Sequence, residues 1–179
     1  MFIISGPPGA GKTTQARLLS ERSDFIWISA GNLLRNQAKG EELAEMLDGE
    51  LVDDDYVDKL VSTELDKYQE DHSRVMLDGF PRDFYEARWL VETYGADVVG
   101  YIIIQVDEAE IRRRMQLRGR QDDNAEAIEE RIKIFHKQTE HVAEYFAEQL
   151  TPIYIVDGNS DVESVYSQIK QIVEENGQN

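Results

Sequence analysis

Apolar residues fall along this chain in two alternating rhythms. Short runs rich in β-branched or aromatic residues, bounded by Gly, Asp, Ser or Pro, occur at 2–5, 25–29, 75–78, 98–106 and 153–156; these predict strands. Between them, apolar positions recur at helical spacing and predict helices over 12–22, 84–94, 108–118, 123–149 and 162–175. Strand–helix alternation implies a parallel sheet covered on both faces. The stretch 32–68 carries no strand pattern and predicts several helices inserted between the second and third strands, broken at Gly40 and Gly49. No internal repeat, low-complexity segment or interdomain linker interrupts the pattern, and the end at 177–179 is expected to fray.

The first strand-to-helix junction carries chemistry. Gly6-Pro7-Pro8-Gly9-Ala10-Gly11-Lys12-Thr13 is a complete G-x-x-x-x-G-K-[ST] phosphate loop, with Phe2-Ile3-Ile4 before it and a helical pattern after it. The glycines let backbone N–H groups approach phosphate oxygens, and the helix N-terminus adds partial positive charge there. Lys12 would reach the β- and γ-phosphates, and Thr13 or Thr14 would sit near Mg²⁺. The loop implies a bound nucleoside triphosphate.

Composition narrows the class. At 179 residues and 41% hydrophobic, the chain suits one domain with a proper core. There is no run of 18 apolar residues, no leader-like N-terminus and no cysteine. The expectation is therefore a cytoplasmic enzyme with no membrane span, no disulfide and no thiolate zinc site. Nineteen basic against 36 acidic residues give a net charge of −17, which argues against a nucleic-acid partner. The acidity reads either as a solvated surface or as adaptation to a salt-rich cytoplasm. Positive charge is concentrated locally: Arg112, Arg113, Arg114, Arg118 and Arg120 fall within nine residues.

Three further segments bear on anions. In Ile28-Ser29-Ala30-Gly31-Asn32-Leu33-Leu34-Arg35, an arginine one turn into a helix could point back at an anion at the strand edge; alone, it would read as a surface arginine. Leu77-Asp78-Gly79-Phe80-Pro81-Arg82 follows the third strand, at the carboxyl edge where doubly wound sheets bind ligands. Asp78 is poised there to hold Mg²⁺ through water, and Arg82 to clamp a second phosphate. Arg114 and Arg118 share one helix face, and Gly119 ends that helix before Arg120 and, later, Arg131.

Taken together, these segments resemble the adenylate kinase family of nucleoside monophosphate kinases. Gly6 to Gln15 matches the family's loop, Ile28 to Arg35 its I-S-x-G-[DN]-[LM]-[LM]-R, and Gly49-Glu50-Leu51-Val52 its G-x-L-V. Leu77 to Arg82 matches L-D-G-F-P-R letter for letter; Arg114–Arg118, Arg120–Asp123 and Val156-Asp157-Gly158 match the later motifs, in order. The resemblance implies an α/β fold: a P-loop NTPase three-layer sandwich with a five-stranded parallel sheet, a helical NMP-binding insert and a short lid. It implies one kinase domain over 1–179, with 30–59 as the NMP-binding part and 118–124 as the lid, too short and cysteine-free for zinc. The implied reaction is ATP + AMP = 2 ADP with Mg²⁺, its partners small-molecule nucleotides; no signal for oligomeric state is present. The donor would lie against Gly9, Ala10, Gly11, Lys12, Thr13, Thr14, Arg114 and Ile155, with Arg114 stacked on the base. The acceptor would lie against Ala30, Arg35, Glu50, Leu51, Val52, Gly79, Phe80, Pro81, Arg82 and Glu86. Lys12, Arg82, Arg118, Arg120 and Arg131 would surround the transferred phosphoryl group. Because the acceptor oxygen is already ionised, His72, His136 and His141 have no catalytic task.

The chain departs from the family at three positions. Thr13 stands where members usually carry Gly. Ala30 replaces the usual Thr and resembles UMP/CMP kinases, as does the run Arg120–Asn124. Glu86 replaces the Gln that reads adenine; an ionised carboxylate accepts only and would match guanine better, unless it faces solvent. AMP leads on family grounds, with UMP/CMP or GMP as alternatives. Outside the family stand a small-metabolite hydroxyl kinase, which would need a general base, and a non-enzymatic nucleotide-binding module. A regulatory GTPase should show D-x-x-G and N-K-x-D; neither appears as such.

Overall fold

Strand β1 (Phe2–Ser5) is buried along its whole length and hydrogen-bonded on both sides. Around it the computed structural model places β2 (Ile26–Ser29), β3 (Val75–Asp78), β4 (Gly100–Gln105) and β5 (Ile153–Asp157) in the order β2–β3–β1–β4–β5. Every pairing is parallel. The structure describes residues 1–37, 39, 40, 48, 52–69, 71–118 and 124–177, and only the backbone of 118, 138 and 140.

The pleat divides the core into two layers. Phe2, Ile4, Met76, Ile102, Ile104 and Val156 pack with Ala16 and Leu19 of α1 (Lys12–Arg22) and Ile169 and Val173 of the last helix, Val162–Asn176. Residues of the other parity, Ile3, Ile28, Val75, Leu77 and Tyr101, form the second cluster. There they meet α2 (Ala30–Gln37), α3 (Asp54–Leu65), α4 (Phe84–Tyr94) and the helix Glu140–Glu148. Each of the buried Val, Leu, Ile, Phe and Met side chains among these contributes about 1.5–3 kcal/mol relative to exposure. Period-2 alternation thus sorts a run of apolar residues between two helical layers.

Local chemistry starts the helices. Asp53 accepts from Tyr56 N at the start of α3, and Asp83 accepts from Tyr85 N and Glu86 N at the start of α4. After β4 comes α5 (Glu108–Arg118), with the bounds the pattern predicts. The single helix predicted over 123–149 is instead three elements: α6 (Ala125–Ile134), a π-helical turn (Phe135–Thr139) and α7 (Glu140–Glu148). A π turn adds a residue to the helical register, so the apolar spacing continues while the side chains rotate. The final helix, Val162–Asn176, is α8.

From β1 the chain crosses to edge strand β2, returns through β3, then passes beyond β1 to β4 and β5. The carboxyl end of β1 therefore lies where the strand order diverges, the usual position for ligands in such sheets. Packing near β1 leaves no slack. A Cβ on Gly100 would stand 2.9 Å from Tyr154 Cε2 and 3.0 Å from two Phe2 ring atoms. Gly100→Ala should therefore lower stability by about 1–3 kcal/mol, read from the urea midpoint at unchanged slope.

Candidate active site

The loop between β1 and α1 is held open by its glycines. Gly6 has φ 141°, and a Cβ there would stand 2.5 Å from Ile104 O, so only glycine lets the loop lie against β4. Gly11, at the N-cap of α1, has φ 97°, and a Cβ there would meet nothing within 4 Å. Its constraint is conformational, and the space beside it is open. No side chain caps α1, which leaves the helix end available to an anion. Lys12 Nζ donates to Gly6 O at 2.6 Å and Pro7 O at 2.9 Å, holding its ammonium over the loop.

Asp78 ends β3 beside the loop and is 2% exposed. Its Oδ2 accepts from Thr13 Oγ1 at 2.8 Å and from Trp27 Nε1 at 3.2 Å. Of the two threonines, Thr13 therefore makes the contact with Asp78, while Thr14 lines the same cleft. Nothing in the sequence pattern marked Trp27; only the register of β2 on β3 brings it here.

Two arginines stand at the other end. Arg35 donates from Nη2 to Asn32 Oδ1 at 2.6 Å, and its guanidinium lies over Gly31, where a Cβ would come within 3.3 Å of Nη2. Arg82 follows the cis Phe80–Pro81 bond. It donates from Nε to Gly79 O at 2.9 Å, while its carbonyl accepts from Thr139 Oγ1 at 2.6 Å. Thr139 is a second residue that the sequence did not reveal, placed by the π turn.

These groups line one cleft of about 970 Å³, together with Gly9, Ala10, Gly79, Phe80, Pro81, Arg114 and Arg131. Arg114 is fixed by Glu110 Oε1 at 2.7 Å and Gly158 O at 2.9 Å. Arg113 and Arg114 together pull the Glu110 carboxyl down to about 2. The loop Asn159, Ser160 and Asp161 closes this side; only the preceding Val156-Asp157-Gly158 motif pointed toward it.

Several expected residues lie elsewhere. Ile155 is 63% exposed and lines a separate depression on the α7 side, because its parity in β5 turns it away from α1. Ala30 and Val52 are buried behind the cleft wall. Arg112 does not serve the cleft: it forks between Glu108 and Glu129 at 2.8 and 2.9 Å on the surface. Glu86 neither faces solvent nor stands ionised in the cleft. It is 2% exposed, accepts from Arg82 N, and burial pushes its carboxyl up to about 8 against the opposing pull of Arg82. Glu50, Leu51 and Arg120, and the side chain of Arg118, lie outside the described residues.

A phosphate loop at the head of a parallel sheet, with two arginines across the same cleft, defines the protein as a phosphate-loop nucleotide-binding protein. A family model described as "Adenylate kinase" matches residues 4–151. The chain is 37% identical over 181 residues to an adenylate kinase of Prochlorococcus marinus (strain MIT 9301), covering 95% of this chain and 96% of that protein. It is also 37% identical over 182 residues to an adenylate kinase of Thermus thermophilus, covering 94% of each. The chain belongs to the adenylate kinase family.

Glu86 has a measurable consequence for stability. Near it, burial and the surrounding carboxylates Asp54, Asp55, Asp83 and Asp53 push Asp58 up to about 7, and Asp54, hydrogen-bonded to Asp83, is also raised. A carboxyl whose folded-state value is raised holds its proton where the unfolded chain has lost it. Its stabilisation is complete below the ordinary carboxyl range and is lost as pH rises through the folded value. Unfolding free energy should therefore fall between about pH 5 and pH 7; from about pH 6 upward the Met1 ammonium, which burial lowers to about 6, works the other way and offsets one carboxyl. In Glu86→Gln that fall should be shallower by at most about 1.4 kcal/mol per pH unit, measured by urea unfolding at stepped pH.

Proposed function

We propose that this chain is an adenylate kinase in activity as well as family, moving the γ-phosphoryl group of MgATP onto AMP to give two ADP. The observation that carries this is the single cleft with Lys12 on the phosphate loop at one end and Arg35 and Arg82 at the other. A binding module needs only the first end. The names of the relatives support AMP as acceptor. The objection raised by an ionised carboxylate at position 86 weakens, because burial pushes that carboxyl up to about 8 and the side chain sits behind the cleft wall.

The task of such a site is to bring two polyanions together and stabilise a phosphoryl group in transit; the acceptor oxygen is already ionised, so positioning and cations do the work. Lys12 contacts the transferred group. Arg82 and Arg35 hold the acceptor phosphate, and Arg131, with Arg118 and Arg120, neutralises charge at the transfer centre. Arg114, locked by Glu110 and Gly158 O, presents its guanidinium to the donor base. Residues 30–59 serve the acceptor and 118–124 act as the lid.

The residues beside the loop fit Mg²⁺. Among the described residues no group of three or more acidic or histidine side chains is arranged to hold a metal ion by itself. Asp78 and Thr13 instead offer hard oxygens next to a phosphate cradle, the sparse set Mg²⁺ takes when phosphates and waters complete its shell. When bound, the cation supplies charge neutralisation at the β- and γ-phosphate oxygens.

Diphosphate formation from ATP should be fastest with AMP when AMP, CMP, UMP, GMP and dCMP are tried separately. Faster turnover with a pyrimidine would overturn the acceptor, and none with any would overturn the activity. Arg82→Ala should lower kcat/KM for AMP by about a hundredfold or more; near wild-type turnover would remove Arg82 from the acceptor site.

A further inference from the structure

We infer that Trp27 is a positioning residue for Asp78: its indole N–H, with the Thr13 hydroxyl, fixes which carboxylate oxygen faces the metal side of the cleft. The inference rests on the reading above that Asp78 serves Mg²⁺ through water, and concerns a residue that touches neither nucleotide.

The register makes the contact. β2 lies parallel to β3 with Trp27 opposite Met76 and Ser29 opposite Asp78. Asp78 is two residues beyond Met76, so Trp27, Met76 and Asp78 emerge on one face, toward α1. The Trp27–Asp78 relation is diagonal, about 7–8 Å between strands, a span a long aromatic side chain can cover. The indole nitrogen reaches Oδ2 at 3.2 Å, and Thr13 Oγ1 reaches the same oxygen at 2.8 Å. Oδ1 accepts from none of the described residues, and Asp78 lines the cleft. Two donors on one oxygen turn the other toward the ligand space.

The two donors are not equivalent. A threonine hydroxyl donates and accepts, so Thr13 can share its oxygen with a cation. An indole N–H is donor only. It cannot compete for the metal, and its one polar task is to hold an acceptor. Asp78 is almost fully buried, and a buried carboxylate needs such donors. If Trp27 merely filled space between β2 and α1, a phenyl ring would replace it without touching the metal dependence.

The chain has two tryptophans, so the ¹⁵N–¹H spectrum has two indole signals. Trp89, edge-on to the Phe80 and Tyr94 rings at 5.9 and 5.8 Å, is the internal control. Adding Mg²⁺ to the ATP complex should move the Trp27 signal and leave that of Trp89. Asp78→Asn should move the Trp27 signal without metal. A Trp27 signal unmoved by both overturns the inference, and this measurement leaves Trp27 in place. In Trp27→Phe, the Mg²⁺ concentration for half-maximal turnover should rise about tenfold, the size of one hydrogen bond to a charged group, with KM for AMP unchanged. If that concentration responds to Asp78→Asn but not to Trp27→Phe, the positioning role fails alone. If Asp78→Asn leaves it untouched, the metal reading itself fails.

Discussion

Five strands that all run one way deliver five carboxyl ends to one edge, and the contents of the cleft hang from that edge. The phosphate loop leaves β1, Asp78 to Arg82 leave β3, Arg35 lies in α2 directly after β2, and Gly158 to Asp161 leave β5. Inside the sheet, backbone donors and acceptors are spent on neighbouring strands, so free N–H groups are found at the ends. β1 is paired with β3 on one side and β4 on the other and buried on both faces, which holds its end firmly in place. A loop that must present several N–H groups to one phosphate needs that rigidity. Gly6, pressed against the Ile104 carbonyl, keys the loop to the strand beside it.

Electrostatics then works on two scales. The formal charge of −17 is a property of the surface, where fields fade beyond a Debye length of about 10 Å. Inside the cleft, Lys12, Arg35, Arg82, Arg114 and Arg131 stand close enough together to act at short range. Surface acids neutralise some of the basic run, as Arg112 between Glu108 and Glu129 makes plain. The acidity itself is also smaller than the formal count. Burial raises the carboxyl of Glu86, enclosed beneath Arg82, to about 8, which favours its uncharged form.

What the sequence made legible was whatever is local. The phosphate loop, the ends of β1 and β3, and the bounds of α1, α4 and α5 follow from short-range patterns that backbone geometry reads directly. What escaped depends on parity and register. The resemblance places Ile155 beside the donor, yet one step of the pleat turns it outward. Glu86 stands where the resemblance places a base-reading Gln, but its side chain is buried and accepts from Arg82 N. Thr139 reaches the Arg82 carbonyl because a π turn shifts a register that apolar spacing alone reads as continuous.

Thr13 shows how such distant facts combine. In a loop with glycine after the lysine, no side chain at that position could touch the end of β3. Here the hydroxyl does so from the first turn of α1, tying the helix that carries the loop to the strand that carries Asp78. Trp27 ties β2 to the same oxygen. Three neighbouring elements thus share one acceptor, and none can shift without changing the direction of that carboxylate. A loop position that is ordinary as a phosphate motif is thus the one that joins the phosphate loop to the strand leading to Arg82.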